Sequence, residues 1–155
     1  RAVVFTASKY SNRSGFSALA TQDGPLLIAS LKQTGFDAKH LKHVNNPTAD
    51  GMRTALNTLI DETQEGDVVY VHYSGHGLRL PDNNGDEQDG YDEALAPIGS
   101  TSNYEQIEST KMLKTEKTYI RDDEIRDYLG QLRQKAGESG HILMSFDSCM
   151  QTNTN

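Results

Sequence analysis

Cysteine occurs once among the 155 residues, tryptophan is absent, and proline occurs only four times. A single cysteine excludes an internal disulfide framework, so an ordinary apolar core has to hold the fold. It also fits a reducing compartment, and a cytoplasmic location is the expectation. Basic residues are in the minority, 15 against 22 acidic, for a formal net charge of −7. That balance gives no electrostatic footprint for nucleic acid, and no nucleic-acid partner is expected. No apolar run approaches the ~18 to 20 residues of a membrane-crossing helix, and no signal peptide is visible, so no membrane partner is expected. The chain opens on Arg1 rather than Met, which sets the expectation that translation starts upstream.

What is present is a soluble, globular composition, 35% apolar and 24% charged, of a length that suits one domain with one core. Residues 2–6 (Ala-Val-Val-Phe-Thr) read as a buried strand. Residues 21–33, with Leu26, Leu27, Ile28 and Leu31, fit a helix stopped by Gly35. A second strand is expected over 38–44. A helix over 48–63 carries Met52, Ala55, Leu56, Leu59 and Ile60 at i, i+3, i+4, i+7, i+8 spacing. Residues 67–73 form a third strand. The polar stretch 78–118 reads as a long loop with a short hairpin about 93–98, and loops of that length are usually functional. A helix over 120–135 and a buried strand over 141–146 complete the order. Strands alternating with helices imply an α/β class fold, its parallel sheet covered by helices on both faces.

Two short motifs each end a strand. Tyr73-Ser74-Gly75-His76-Gly77 carries a histidine, and Phe146-Asp147-Ser148-Cys149 carries the only cysteine. Function in open α/β sheets gathers at the carboxyl ends of the strands. Adjacent parallel strands are ~4.8 Å apart, so groups on their exit loops meet. A thiol attacks as thiolate, and an imidazole beside it takes its proton. The developing oxyanion needs N–H donors, for which Gly77 and Cys149 are the candidates. Taken singly, His76 reads as a surface histidine and Cys149 as a small buried hydrophobe; the joint pattern is what points to a cysteine peptidase.

Together these motifs resemble the catalytic pair of the caspase-like cysteine peptidases, and more closely that of the metacaspases. The run 85–97 (Gly-Asp-Glu-Gln-Asp-Gly-Tyr-Asp-Glu-Ala-Leu-Ala-Pro) is similar to the acidic metacaspase signature, and 120–125 (Ile-Arg-Asp-Asp-Glu-Ile) to the next one. The resemblance implies a three-layer caspase-like fold, with 1–155 as the catalytic large subunit. It implies His76 as general base and Cys149 as nucleophile in peptide-bond hydrolysis. The small subunit, or C-terminal remainder, is an expected partner lying beyond Asn155.

In animal caspases the residue two before the cysteine is a glutamine; here it is Asp147. Asp23 and Ser74 match two further pocket positions of metacaspases. Two carboxylates in one pocket favour Arg or Lys before the scissile bond and repel Asp. The expected partner is therefore a protein or peptide substrate with a basic residue at that position. The plainer reading of Asp23 is a charge favourable at a helix N-terminus, and both roles are compatible.

Carboxylates crowd residues 82–93, but Glu87 stands where an EF-hand loop requires glycine and no helix precedes it, so an EF-hand is rejected. Metacaspases often need Ca²⁺, and Asp92, Asp122 and Asp123 best match the family's ligands; a solvated acidic loop is the alternative. The chain departs from the family in two places. Met150-Gln151-Thr152 replaces the usual His-Ser-Gly, and Ala20 stands where many relatives have cysteine. Arg79, Lys111, Lys114 and Lys117 are candidate processing points. The competing readings are a paracaspase-like peptidase, a caspase-fold pseudo-protease or regulatory module that binds without cleaving, and a flavodoxin-like domain. The last lacks a Gly-rich phosphate loop after the first strand.

Overall fold

A computed structural model describes residues 1–19, 21–103 and 116–151. Ala20, Lys111 and Lys114 therefore lie outside the described residues. Four parallel strands form the main sheet in the order β2-β1-β3-β7: β1 Ala2–Thr6, β2 Leu41–Asn45, β3 Val68–Ser74 and β7 His141–Asp147. A second sheet in the order β6-β5-β4-β8 joins β4 His76–Pro81, β5 Tyr91–Ala96, β6 Ile120–Arg121 and β8 Met150–Gln151. Three helices cover the main sheet: α1 Asp23–Gln33, α2 Ala49–Glu62 and α3 Asp122–Ala136.

The two faces of the main sheet have different chemistry because side chains alternate along each strand. Val3, Phe5, Val69, Val71 and Tyr73 point one way and pack with Met52, Leu56, Leu59 and Ile60 of α2 and with Tyr128 and Leu132 of α3. This is the core. The other face carries Thr6, Tyr70, His72 and Ser74, and α1 covers it over β1 and β2. Gly24 permits that approach, since a Cβ there would lie 2.2 Å from His43 Nε2. The three-layer arrangement expected from the sequence is the one found.

Several expectations are corrected. Residues 38–40 are a 3₁₀ turn rather than strand, because the Asp37 side chain accepts from Lys39 N and caps it. The helix expected from 120 starts at Asp122; Ile120 is buried and pairs with Leu95, while Asp122, Asp123 and Glu124 supply the acidic first turn. The polar stretch from 78 is not all loop. β4 and β5 form an antiparallel hairpin that pairs His76 with Ala96 and Pro81 with Tyr91, burying Leu78 and Leu80. His76 therefore opens a strand instead of riding an exit loop. β7 is less buried than its sequence implies: it is the edge of the sheet, and Leu143 and Phe146 are exposed.

Two ladders position the motifs. β3 and β7 pair in parallel to their last residues, Ser74 with Asp147, and Gly75 N donates to Asp147 O at 3.1 Å. β4 and β8 pair in parallel, Gly77 with Met150. The offset is the same at both ends, so position 76 stands opposite position 149. The turn between β3 and β4 is tight. Tyr73, fully buried, donates its hydroxyl to His76 O at 2.9 Å. A Cβ on Gly75 would lie 2.5 Å from the Tyr73 oxygen and 3.0 Å from Ala7 Cβ. Both neighbours are packed in the core, so neither yields cheaply.

On the opposite side of the sheet Arg53 ties α2 to the start of α3. It donates to both Glu124 oxygens at 2.7 and 3.0 Å, to Tyr119 O at 2.8 Å and to Lys117 O at 2.7 Å.

Gly75→Ala is expected to destabilise the fold by about 2 kcal/mol through overpacking, lowering the melting temperature in calorimetry by roughly 6 °C. Arg53→Met removes the charged donor that joins Glu124 to the Lys117 and Tyr119 carbonyls and is expected to cost about 2 kcal/mol, read as a lower urea midpoint at constant slope.

Candidate active site

His76 is built in from three sides. Its backbone N donates to Tyr10 Oη at 3.0 Å, and that hydroxyl donates to Ala96 O at 2.8 Å. Its ring stacks on Phe16 at 4.8 Å and meets the edge of Tyr10 at 4.8 Å. Its Nε2 lies 2.8 Å from Ser17 O. A carbonyl only accepts, so Nε2 carries the proton in this bond and Nδ1 keeps its lone pair in the neutral ring. The imidazole thus has a fixed orientation, a fixed tautomer and a free basic nitrogen. Tyr10, Phe16 and Ser17 were not singled out by the sequence, where they sit in a polar loop; Phe16, an isolated aromatic, was the only signal there.

Cys149 lies two residues past the end of β7 and is exposed. Cys149 and His76 line one cleft of about 460 Å³. The same cleft receives Asp23, Ser74 and Asp147, so the structure brings the expected dyad and the expected pocket together. Gly77 lies just past the cleft, within β4.

Ser74 donates to Asp23 Oδ2 at 2.6 Å, and Asp23 N donates to Thr21 Oγ1 at 3.2 Å. The Ser74 hydroxyl, then that of Thr21, hold the Asp23 carboxyl below the usual carboxylate range. Asp23 begins α1, so its helix-terminal role and its place in the cleft coexist. Asp147 is exposed and stands beside Ser74 in the β3–β7 ladder. Among the described residues neither Asp23 nor Asp147 forms an ion pair with a Lys or Arg. Two carboxylates thus face one cleft without a cation.

The acidic loop is arranged differently from the expected ligand set. Asp92 is 1% exposed, pairs with Arg121 through Oδ2, and leaves Oδ1 buried without a partner. Burial raises its carboxyl above the usual range. Oxygens of Asp82, Asp86 and Asp92 lie within 4.8 Å of one another. Asp123 is instead paired with Arg126 and accepts from Asn84 Nδ2 at 2.6 Å. Asp122 accepts from Asp123 N at 3.0 Å and adds its charge to the field at Asp92. A cluster of hard oxygens with one orphaned buried acceptor fits Ca²⁺. Arg121 already neutralises part of it, since its other edge grips Glu116 at 2.9 and 3.0 Å. Of the candidate processing points, Arg79 is paired with Asp89 and lies over the Tyr91 ring, 5.1 Å from its centre. Lys117 is exposed.

A family model described as the metacaspase, peptidase C14 domain matches residues 27–154. Metacaspase-7 of Arabidopsis thaliana is 36% identical over 104 residues, 66% of this chain and 21% of that protein. Metacaspase-6 of the same plant is 38% identical over 78 residues, 45% of this chain and 21% of that protein. Metacaspase-1B of Aspergillus terreus is 42% identical over 52 residues, 34% of this chain and 14% of that protein. The chain therefore spans no more than 21% of the length of these curated relatives. A crystal structure of a protein from Geobacter sulfurreducens matches with a TM-score of 0.66 at 21% identity, covering 96% of this chain and 49% of that one, which shows a shared fold. The family match runs from α1 past Cys149 and takes in both paired motifs, and on that ground the chain belongs to the metacaspases, as a peptidase C14 domain.

Proposed function

We propose that this domain is a cysteine endopeptidase that hydrolyses peptide bonds after Arg or Lys. The observation that carries the reading is the register of His76 opposite Cys149, above a cleft whose two carboxylates pair with no Lys or Arg among the described residues. His76 Nδ1 takes the proton of the Cys149 thiol, and the sulfur attacks the substrate carbonyl carbon. The backbone N–H groups of Gly77 and Cys149 are the donors assigned to the oxyanion. The carbon–nitrogen bond breaks as the imidazolium gives its proton to the leaving amine. Water, deprotonated by the same imidazole, then hydrolyses the thioester and restores the thiol. Ser17 O keeps the ring in the tautomer this sequence of transfers needs.

Asp23 and Asp147 bind the basic side chain before the scissile bond, and Ser74 holds Asp23 in place. An exposed thiol persists as thiol in a reducing compartment, consistent with the cytoplasm. The exposed edge of β7 is where a C-terminal remainder or small subunit would continue the sheet. Ca²⁺ would be held by Asp82, Asp86 and Asp92, with Asp122 adding charge; its role there is structural, tying the β4–β5 hairpin together.

Cys149→Ala is expected to reduce cleavage of Arg reporter peptides by about a thousandfold or more. Asp147→Asn and Asp23→Asn are each expected to raise KM for Arg reporters about tenfold with a smaller change in kcat. A panel in which Asp reporters are cut faster than Arg or Lys reporters would sink the specificity. Calorimetry with CaCl₂ is expected to show binding that Asp92→Asn abolishes and Arg121→Gln tightens. No heat in the unaltered protein, with activity indifferent to chelator, would remove Ca²⁺ from the account.

A further inference from the structure

His72 lies on β3 two residues before Ser74, on the same face of the sheet. It is 7% exposed and pairs in register with Ser145, just as Ser74 pairs with Asp147. Its Nδ1 is 2.8 Å from Ser145 Oγ, which is itself 2.8 Å from Tyr70 Oη. Its Nε2 is buried and has no hydrogen-bond partner among the described residues. An orphaned polar atom of this kind costs stability and calls for a reason. The core does not use it, because the core is on the other face.

The charged groups facing His72 are few. From α1 comes Asp23 and from β7 comes Asp147, both of the cleft. From β1 the register neighbour is Val4, which carries no charge. On β2 His43 is bonded to Thr6 at 2.8 Å. Tyr70 and Ser145 are neutral partners. Burial holds the His72 imidazole below the usual histidine range, against the pull of the two carboxylates. The ring is therefore neutral at pH 7, and its protonation would place a cation on the same sheet face as two carboxylates that form no ion pair among the described residues.

We propose that His72 is a positioning residue for the basic-side-chain pocket. Neutral, it leaves Asp23 and Asp147 free for an incoming guanidinium or ammonium; protonated, it becomes their counter-ion and weakens that binding. The inference rests on the pocket reading above. Substrate affinity then falls with acid through a group that never touches the scissile bond, separately from any titration of the dyad. Linkage requires the converse: a bound cation makes His72 harder to protonate by the same factor.

The test uses benzamidine, a small amidinium cation, with the full-length protein. Between pH 7.5 and pH 5 its Kd, by calorimetry, is expected to weaken about tenfold, and by less than twofold in His72→Gln. In the unaltered protein, the titration midpoint of the His72 ring resonances is expected to fall when benzamidine is saturating, a readout that does not depend on the variant folding. The same pH slope in His72→Gln, or a midpoint that benzamidine leaves in place, overturns the role of His72 while the pocket stands. No benzamidine binding at any pH overturns the pocket itself, and the inference with it.

Discussion

Residues 74–77 and 147–150 lie side by side, tied at one end by the β3–β7 ladder and at the other by β4–β8. Side chains alone would hold His76 and Cys149 loosely, since an exposed loop cysteine has no packing to fix it. Backbone pairing on both sides of each residue removes that freedom. The bond from Gly75 N to Asp147 O closes the gap between the ladders. This pairing needs the chain to leave β3, turn at once and start β4, and the absence of a Cβ at Gly75 allows it above the buried Tyr73 ring. Tyr10 and Tyr73 then fasten the backbone of His76 from within the core, so the site inherits the rigidity of the fold.

The main sheet divides its labour by face. Its apolar face, against α2 and α3, supplies the stability. Its other face carries Thr6, His43, Tyr70, His72, Ser74 and Ser145, with α1 over its β1–β2 side. A buried polar face is costly unless its groups satisfy one another, and nearly all of these do. The exception is His72 Nε2, on the same sheet face as Ser74 of the cleft. The apolar core and the cleft thus draw on opposite faces of the same strands.

Charge is distributed with the same economy. The chain is acidic overall, and four of its Arg side chains are committed to carboxylates: Arg53 to Glu124, Arg79 to Asp89, Arg121 to Asp92 and Glu116, Arg126 to Asp123. Asp23 and Asp147 form no such pair among the described residues and line one cleft. Two carboxylates converging there support the proposed preference for a basic side chain, because their joint field is left for a ligand to neutralise.

Much of this was legible in the chain itself. The apolar runs of β1 and β3 and the stripe of α2 follow from period alone, because burial on both faces or on one helical face leaves a regular pattern. The metacaspase likeness rests on short motifs whose residue types the chemistry demands. β4 was hidden because its glycine, arginine and proline break the alternation of Leu78 and Leu80, and only pairing with β5 makes it a strand. The acidic loop gave the residue types but not the grouping: local bonds drew Asp123 to Arg126 and Asn84, and the hairpin brought Asp82 to Asp92. By itself the sequence determined β1, β3, α2 and the metacaspase likeness, since these depend on local period and on short motifs. The tertiary structure alone decided that Ser17 orients His76, that 76 faces 149, and that His72 and Ser145 share a sheet face with Ser74 and Asp147. Those relations join residues far apart in the chain, and only strand register brings them together.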